Sequence, residues 1–216
     1  PVPSLRQVTL GGEAVPADLL DRLTATFPAA HIAQIYAASE FGSSGSVRDN
    51  QSGLPLSVLD RPDDADIQMK IVDGELWVRS RVGMLGYYKE EPGDADGWRA
   101  SGDLVEVVGD RVLFRGRKSD VINVGGVKVH PAVVEEKVTA VPGVAMARVF
   151  GRKSPVAGSI VAVEIVAEDG ADQDAVESAV RDACAGLAAA ARPRSIRFVD
   201  RIETTGDKVV RRTVDG

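Results

Sequence analysis

Tyr36-Ala37-Ala38-Ser39-Glu40 sets a hydroxyl and a carboxylate directly after the apolar residues 32–35. At the carboxyl end of a strand such a pair can meet a phosphate and a magnesium ion, because Mg²⁺ binds through one or two carboxylates plus phosphate oxygens. The plainer alternative is a polar loop in which Ser39 caps a helix. Further on, Gly97-Trp98-Arg99-Ala100-Ser101-Gly102-Asp103 ends in a carboxylate. Beside a glycine turn it can accept both hydroxyls of a ribose through charge-assisted hydrogen bonds, although a turn-initiating aspartate has the same signature.

A third segment runs from Gly116 through Arg117, Lys118, Ser119 and Asp120 to Gly125, Gly126, Val127, Lys128, Val129, His130 and Pro131. A guanidinium there can clamp ribose or phosphate, and paired glycines let another molecule approach the backbone. Ordinary surface-loop chemistry explains it equally well. The fourth segment is Thr204-Thr205-Gly206-Asp207-Lys208-Val209-Val210-Arg211-Arg212. Its Lys208, on a mobile tail, can carry a point charge to a developing anionic transition state, unless the tail is simply basic. His31 and His130 read as structural neighbours of their turns, and Cys184 as small buried packing in an Ala-rich helix. Gly42-Ser43-Ser44-Gly45-Ser46 lacks the lysine of a phosphate loop and reads as a flexible turn.

The elements that must position these residues follow from periodicity. Residues 5–10 alternate as a strand, Gly11-Gly12 turns the chain, and residues 16–27 carry Leu19, Leu20, Leu23 and Phe27 at helical spacing. Such an opening looks like a piece of a larger α/β domain. Two hairpins follow, at 67–79 around Asp73-Gly74 and at 104–115 around Gly109-Asp110, and together they suggest a small β-barrel or distorted antiparallel sheet. Beyond Gly116 the pattern predicts a helix opening at Pro131, strands at 144–150 and 160–166, a helix at 172–191 and a short strand at 195–199. Two helices on a three-stranded sheet make an α+β lobe, and the domain boundary is expected at Lys118-Ser119.

Composition narrows the class. The 216 residues are 44% hydrophobic and 27% charged, and their net charge of −6 arises from interspersed signs, which disfavours a nucleic-acid partner. One cysteine excludes an internal disulfide, and no apolar run approaches the ~20 residues of a membrane span. A cytoplasmic protein is the default expectation.

In order and spacing, the four segments resemble the superfamily of AMP-forming acyl-CoA synthetases, luciferases and peptide-synthetase adenylation domains, over essentially all 216 residues. That resemblance implies a carboxylic acid substrate activated by ATP to an acyl-adenylate and then captured by a thiol, usually of coenzyme A. It implies that residues 1–118 end a large nucleotide-binding α/β domain with a small β-barrel-like subdomain, and that 119–216 form a mobile α+β lobe. Residue by residue, Gly11, Gly12 and Glu13 resemble the segment bordering the adenine. Tyr36 resembles the residue against the base, Ser39 the one near the α-phosphate, and Glu40 the ligand of Mg²⁺. Asp103 resembles the ribose-binding aspartate, Arg117 its partner, and Lys118 and Ser119 the hinge. Gly125, Gly126 and Lys128 resemble the loop lining the pantetheine tunnel, and Lys208 the lysine bridging the acid and the α-phosphate.

Ala37 and Ser39 replace the family's usual glycine and threonine, and Asp207 stands where it generally has glycine. The family's loop for the β- and γ-phosphates has no counterpart here, so the expectation is a C-terminal portion, inactive by itself and completed by the missing N-terminal part of the large domain. The residues 121–126 resemble CoA ligases more than peptide-synthetase domains. An enzyme loading a carrier protein is the alternative acceptor reading, and a non-catalytic nucleotide-binding or interaction module the alternative class.

Overall fold

A computed structural model describes residues 5–84, 96–154, 158–205 and 208–209. The chain divides into two compact units, Pro1–Arg115 and Gly116–Gly216. Each has its own buried apolar core.

In the first unit, β1 (Gln7–Gly11) runs parallel to β2 (His31–Ala38), with α1 (Ala17–Thr26) connecting them. Leu20 is the residue α1 buries most fully, at 2% exposure. The strand expected over 32–35 extends to Ala38, and β3 (Gly42–Val47) pairs antiparallel to it. Residues 42–46 are therefore a strand and not a flexible turn, and no helix follows Ser39 for it to cap. The glycine-serine composition conceals the strand because its stability comes from pairing with β2, not from side-chain propensity.

A five-stranded sheet follows. It comprises β4 (Leu54–Pro55), β5 (Ile67–Val72), β6 (Glu75–Ser80), β7 (Trp98–Val108) and β8 (Arg111–Arg117), in the order β4-β8-β7-β6-β5. Asp73 and Gly74 turn β5 into β6 with φ of 50° and 77°, the left-handed pair that a primed hairpin turn requires. The core beneath contains Phe41, Leu76, Val78, Val105 and Val112. Asp103 lies inside β7, so it does not initiate a turn; β7 begins earlier than the periodicity indicated because its first residues pair with the end of β6.

The second unit opens with a hairpin of β9 (Ile122–Val124) and β10 (Val127–Val129), then α2 (Pro131–Thr139). Pro131 suits the first helical turn, where its missing N–H costs nothing. β11 (Val144–Ser154), β12 (Gly158–Ala167) and β13 (Ser195–Phe198) form one sheet with β12 central, antiparallel to β11 and parallel to β13. α3 (Gln173–Ala183) is capped by Asp172, whose carboxylate accepts from the Asp174 and Ala175 amides.

The helix expected to reach 191 thus stops at 183. Leu187 N donates to Cys184 O at 3.1 Å and Ala191 N to Ala188 O at 2.8 Å in successive turns, and Leu187 and Ala191 still pack on the core. The apolar stripe survives without the helix, and Gly186 within it weakens helical continuation. Cys184 is 1% exposed, and burial pushes its thiol above the ordinary value against the opposing pull of Lys137. Beyond β13, β14 (Thr204–Thr205) pairs antiparallel with β15 (Lys208–Val209). Among the described residues no helix is long and apolar enough to cross a membrane.

Candidate functional site

Tyr36 and Asp103, 67 positions apart in the chain, are joined by a hydrogen bond: the Tyr36 hydroxyl donates to Asp103 Oδ2 at 2.7 Å. A phenol held by a carboxylate orients both groups, and an ionised carboxylate offers about four acceptor positions. The Tyr36 ring packs on Phe41 and Phe114, with centroids 5.2 and 4.9 Å away. Below it, the buried Ser44 donates through Oγ to Tyr36 O at 2.8 Å, and Arg61 donates to Ser44 O at 2.7 Å. The supporting roles of Phe41, Phe114 and Ser44 had no signal in the sequence; a lone aromatic and a serine in a glycine-rich run specify nothing by themselves.

Parallel pairing of β1 with β2 brings the two strand ends to one edge. Gly11 stands opposite Ile35, so Gly12 and Glu13 leave β1 at the edge where Tyr36 to Ala38 end β2 and Ser39 and Glu40 leave it. Ligands in α/β sheets bind at such carboxyl edges. Residues 39–41 form the turn into β3, with Ser39 exposed and Glu40 half-buried.

That turn is held from outside. Ser80 Oγ donates to Phe41 O at 2.8 Å and Met84 N to Glu40 O at 3.1 Å. Gly83 lies so close that an added Cβ would stand 2.6 Å from Glu40 O. Gly83→Ala is therefore expected to displace the turn and destabilise the first unit by about 1–3 kcal/mol, the usual cost of overpacking. Urea denaturation measures this, and an unchanged midpoint would show that the backbone contact does not matter.

The remaining candidates belong to the second unit and to the strand entering it. Arg117 ends β8 with an extended backbone and is exposed. Lys118 and Ser119 form a short 3₁₀ turn with Asp120, whose carboxylate accepts from Ser119 Oγ at 2.9 Å. Gly125 and Gly126 form the β9–β10 turn at φ of 56° and 89°, where Asn123 Oδ1 accepts from Gly126 N at 2.8 Å. An added Cβ at either glycine meets nothing within 4 Å, so their positive φ is what requires glycine. Lys128, exposed on β10, pairs with Asn123.

Lys208 stands opposite Thr205 in the β14–β15 pair, so the segment read as a tail carries a short stretch of strand pairing. A two-residue strand is too short for periodicity to reveal. Asp207 and the Lys208 ammonium lie outside what the structure describes. The described residues contain no cluster of three or more metal-ligating side chains.

Residues 133–208 match the family described as the AMP-binding enzyme C-terminal domain. Among curated proteins, the chain is 31% identical over 231 residues to a feruloyl-CoA synthase of an Amycolatopsis species, covering 94% of this chain and 44% of that protein. It is 29% identical over 244 residues to the fatty acid–[acyl-carrier-protein] ligase MmaC of Mycobacterium marinum, covering 98% of this chain and 46% of that protein. Among solved structures, the anthranilate CoA ligase AuaEII in complex with anthranoyl-AMP superposes with a TM-score of 0.79 at 24% identity, over 96% of this chain and 43% of that one. The chain thus spans less than half the length of the curated relatives it matches.

Proposed function

Because this chain belongs to the adenylate-forming ligase superfamily, whose C-terminal portion it matches, we propose that it supplies the nucleoside-binding edge and the C-terminal lobe of an ATP-dependent, AMP-forming carboxylic acid:CoA ligase. The observation that carries this reading is the Tyr36–Asp103 hydrogen bond, which joins at 2.7 Å two segments that the sequence separately suggested for nucleotide binding.

In this reading Asp103 accepts the ribose hydroxyls and Tyr36 borders the base beside Gly11, Gly12 and Glu13. Ser39 donates toward the α-phosphate, and Arg117 adds a cation for ribose or phosphate. In the first half-reaction an oxygen of the acid attacks the α-phosphorus while the bond to pyrophosphate breaks. Holding the two anions together lowers the barrier chiefly by orientation and charge stabilisation, the part given to Lys208. In the second half-reaction a thiol attacks the acyl carbon, loses its proton, and AMP departs. Gly125, Gly126 and Lys128 line the thiol's approach, and Lys118 and Ser119 carry the hinge between the steps.

Glu40 fits Mg²⁺ by type, since its carboxylate stands in a turn held by Ser80 and Met84 and magnesium binds through one or two carboxylates plus phosphate oxygens and water. When bound, the ion would neutralise phosphate charge. An acyl-carrier-protein thiol as acceptor is the second reading, favoured by the carrier-protein ligase among the relatives. Assaying full-length protein with CoA against a panel of carrier proteins separates the two.

Titration calorimetry of AMP into the 216-residue chain tests the nucleoside site directly. Magnesium-insensitive binding is expected, weakened about ten- to a hundredfold by Asp103→Ala, the effect of losing hydrogen bonds to a charged acceptor. Absent binding, or binding indifferent to Asp103, overturns the assignment.

A further inference from the structure

Asp103 reaches Tyr36 because β7 is not a regular strand. Glu75 pairs with Leu104 and Trp77 with Ala100, so Ser101, Gly102 and Asp103 stand opposite Leu76 alone. A bulge of this kind leaves the ladder broken and re-aims the side chains within it. Gly102 takes φ of 76°, a conformation other residues resist.

Two side chains fix the bulge. Ser101 Oγ donates to Leu76 O at 2.7 Å and accepts from Asp103 N at 3.1 Å, so one hydroxyl ties the extra residues to β6 and to the amide of Asp103 itself. Glu75, only 5% exposed, accepts from Gly102 N at 3.2 Å through Oε1. A backbone amide released by the bulge thus ends on a buried carboxylate, where an unsatisfied group would be costly. Val105 N donates to Gly74 O at 2.8 Å and restores the register beyond it.

We infer that Ser101 and Glu75 are positioning residues for nucleotide binding: they hold the β7 bulge that sets the direction of the Asp103 carboxylate, and they do so without touching the nucleotide. This rests on the nucleoside reading of Asp103. Ser101 and Glu75 both bond to the backbone of the bulge and its partner strand, as holding its shape requires.

A double-mutant cycle on AMP affinity, measured by calorimetry with the 216-residue chain, tests it. Ser101→Ala is expected to weaken AMP about five- to tenfold, the scale of a lost neutral hydrogen bond. Ser101→Thr, which keeps the hydroxyl, should restore affinity. In the Asp103→Ala background Ser101→Ala should cause no further loss, because residues acting through one group are non-additive. Glu75→Gln, which keeps shape and an acceptor but loses charge, is the second variant if Ser101→Ala fails to fold; a smaller loss of about two- to threefold is expected, again absent in the Asp103→Ala background.

Additive losses, or no effect of either variant while Asp103→Ala weakens binding, overturn the positioning role and leave the nucleoside site standing. An AMP affinity insensitive to Asp103→Ala overturns both.

Discussion

In a full-length ligase that includes these residues, Lys208→Ala is expected to slow acyl-adenylate formation by about a hundred- to a thousandfold, the usual loss when one donor to a developing anion is removed. Thioester formation from supplied acyl-adenylate should stay within a few-fold of the unmodified enzyme. The asymmetry follows from the charges. In the first half-reaction a carboxylate must approach a phosphate, and a compact ammonium is suited to holding both. In the second, a thiolate attacks an acyl carbon already activated by AMP. The backbone of Lys208 pairs with Thr205 in a short two-stranded element. Pyrophosphate release and thioester formation, assayed separately, read the two steps, and equal losses in both would remove Lys208 from the proposed role.

The largest expected effect on stability concerns Glu164. It is 3% exposed at the centre of the second unit's sheet, with Arg148 directly opposite on β11 and Arg197 opposite on β13. Arg148 Nε donates to Glu164 Oε2 at 2.9 Å, and the terminal nitrogens of both arginines donate to its two oxygens. Burial pushes the Glu164 carboxyl upward, but the hydrogen bonds and charges of Arg197 and Arg148 outweigh it and hold the group below its ordinary 4.5. The sign follows. A carboxylate depressed in the folded state contributes stability that is fully present above the unfolded pKa, and that is lost as pH falls through the folded value. The second unit should therefore lose this contribution progressively below about pH 4.5.

Glu164→Gln is expected to cost about 3 kcal/mol at neutral pH, the lower end for breaking a buried pair, because Arg197 is 66% exposed and screened while Arg148 is only 12% exposed. The variant should also lack the part of the wild-type acid dependence that Glu164 contributes. Combining Glu164→Leu with Arg148→Met should recover much of the loss, since replacing both buried partners by apolar groups is far milder than stranding one. Chemical denaturation across pH 3–7 checks all three expectations, the range being about that over which carboxylates titrate. A Glu164→Gln midpoint equal to wild type at neutral pH would mean that the arginine pair is screened by solvent.

The sequence by itself determined what is local. Asp73-Gly74 dictated its hairpin because those residues accept positive φ at least cost, Pro131 opened its helix, and the Val-rich runs became the buried strands β11 and β12. The chemical types of the candidate residues were equally legible, because a carboxylate or guanidinium carries its chemistry wherever it stands. Only the tertiary structure decided the long-range matters. The bond between Tyr36 and Asp103 depends on a β-bulge, and a bulge arises from the mismatch of two strand registers that no single segment encodes. The strand at 42–47 exists because β2 offers it an edge. The chain turns away from helix after 183 while Leu187 and Ala191 keep their place in the core. In each case pairing and burial outweighed local propensity, since the free energy of a hydrogen-bonded edge or an apolar contact is set by the partner across the gap.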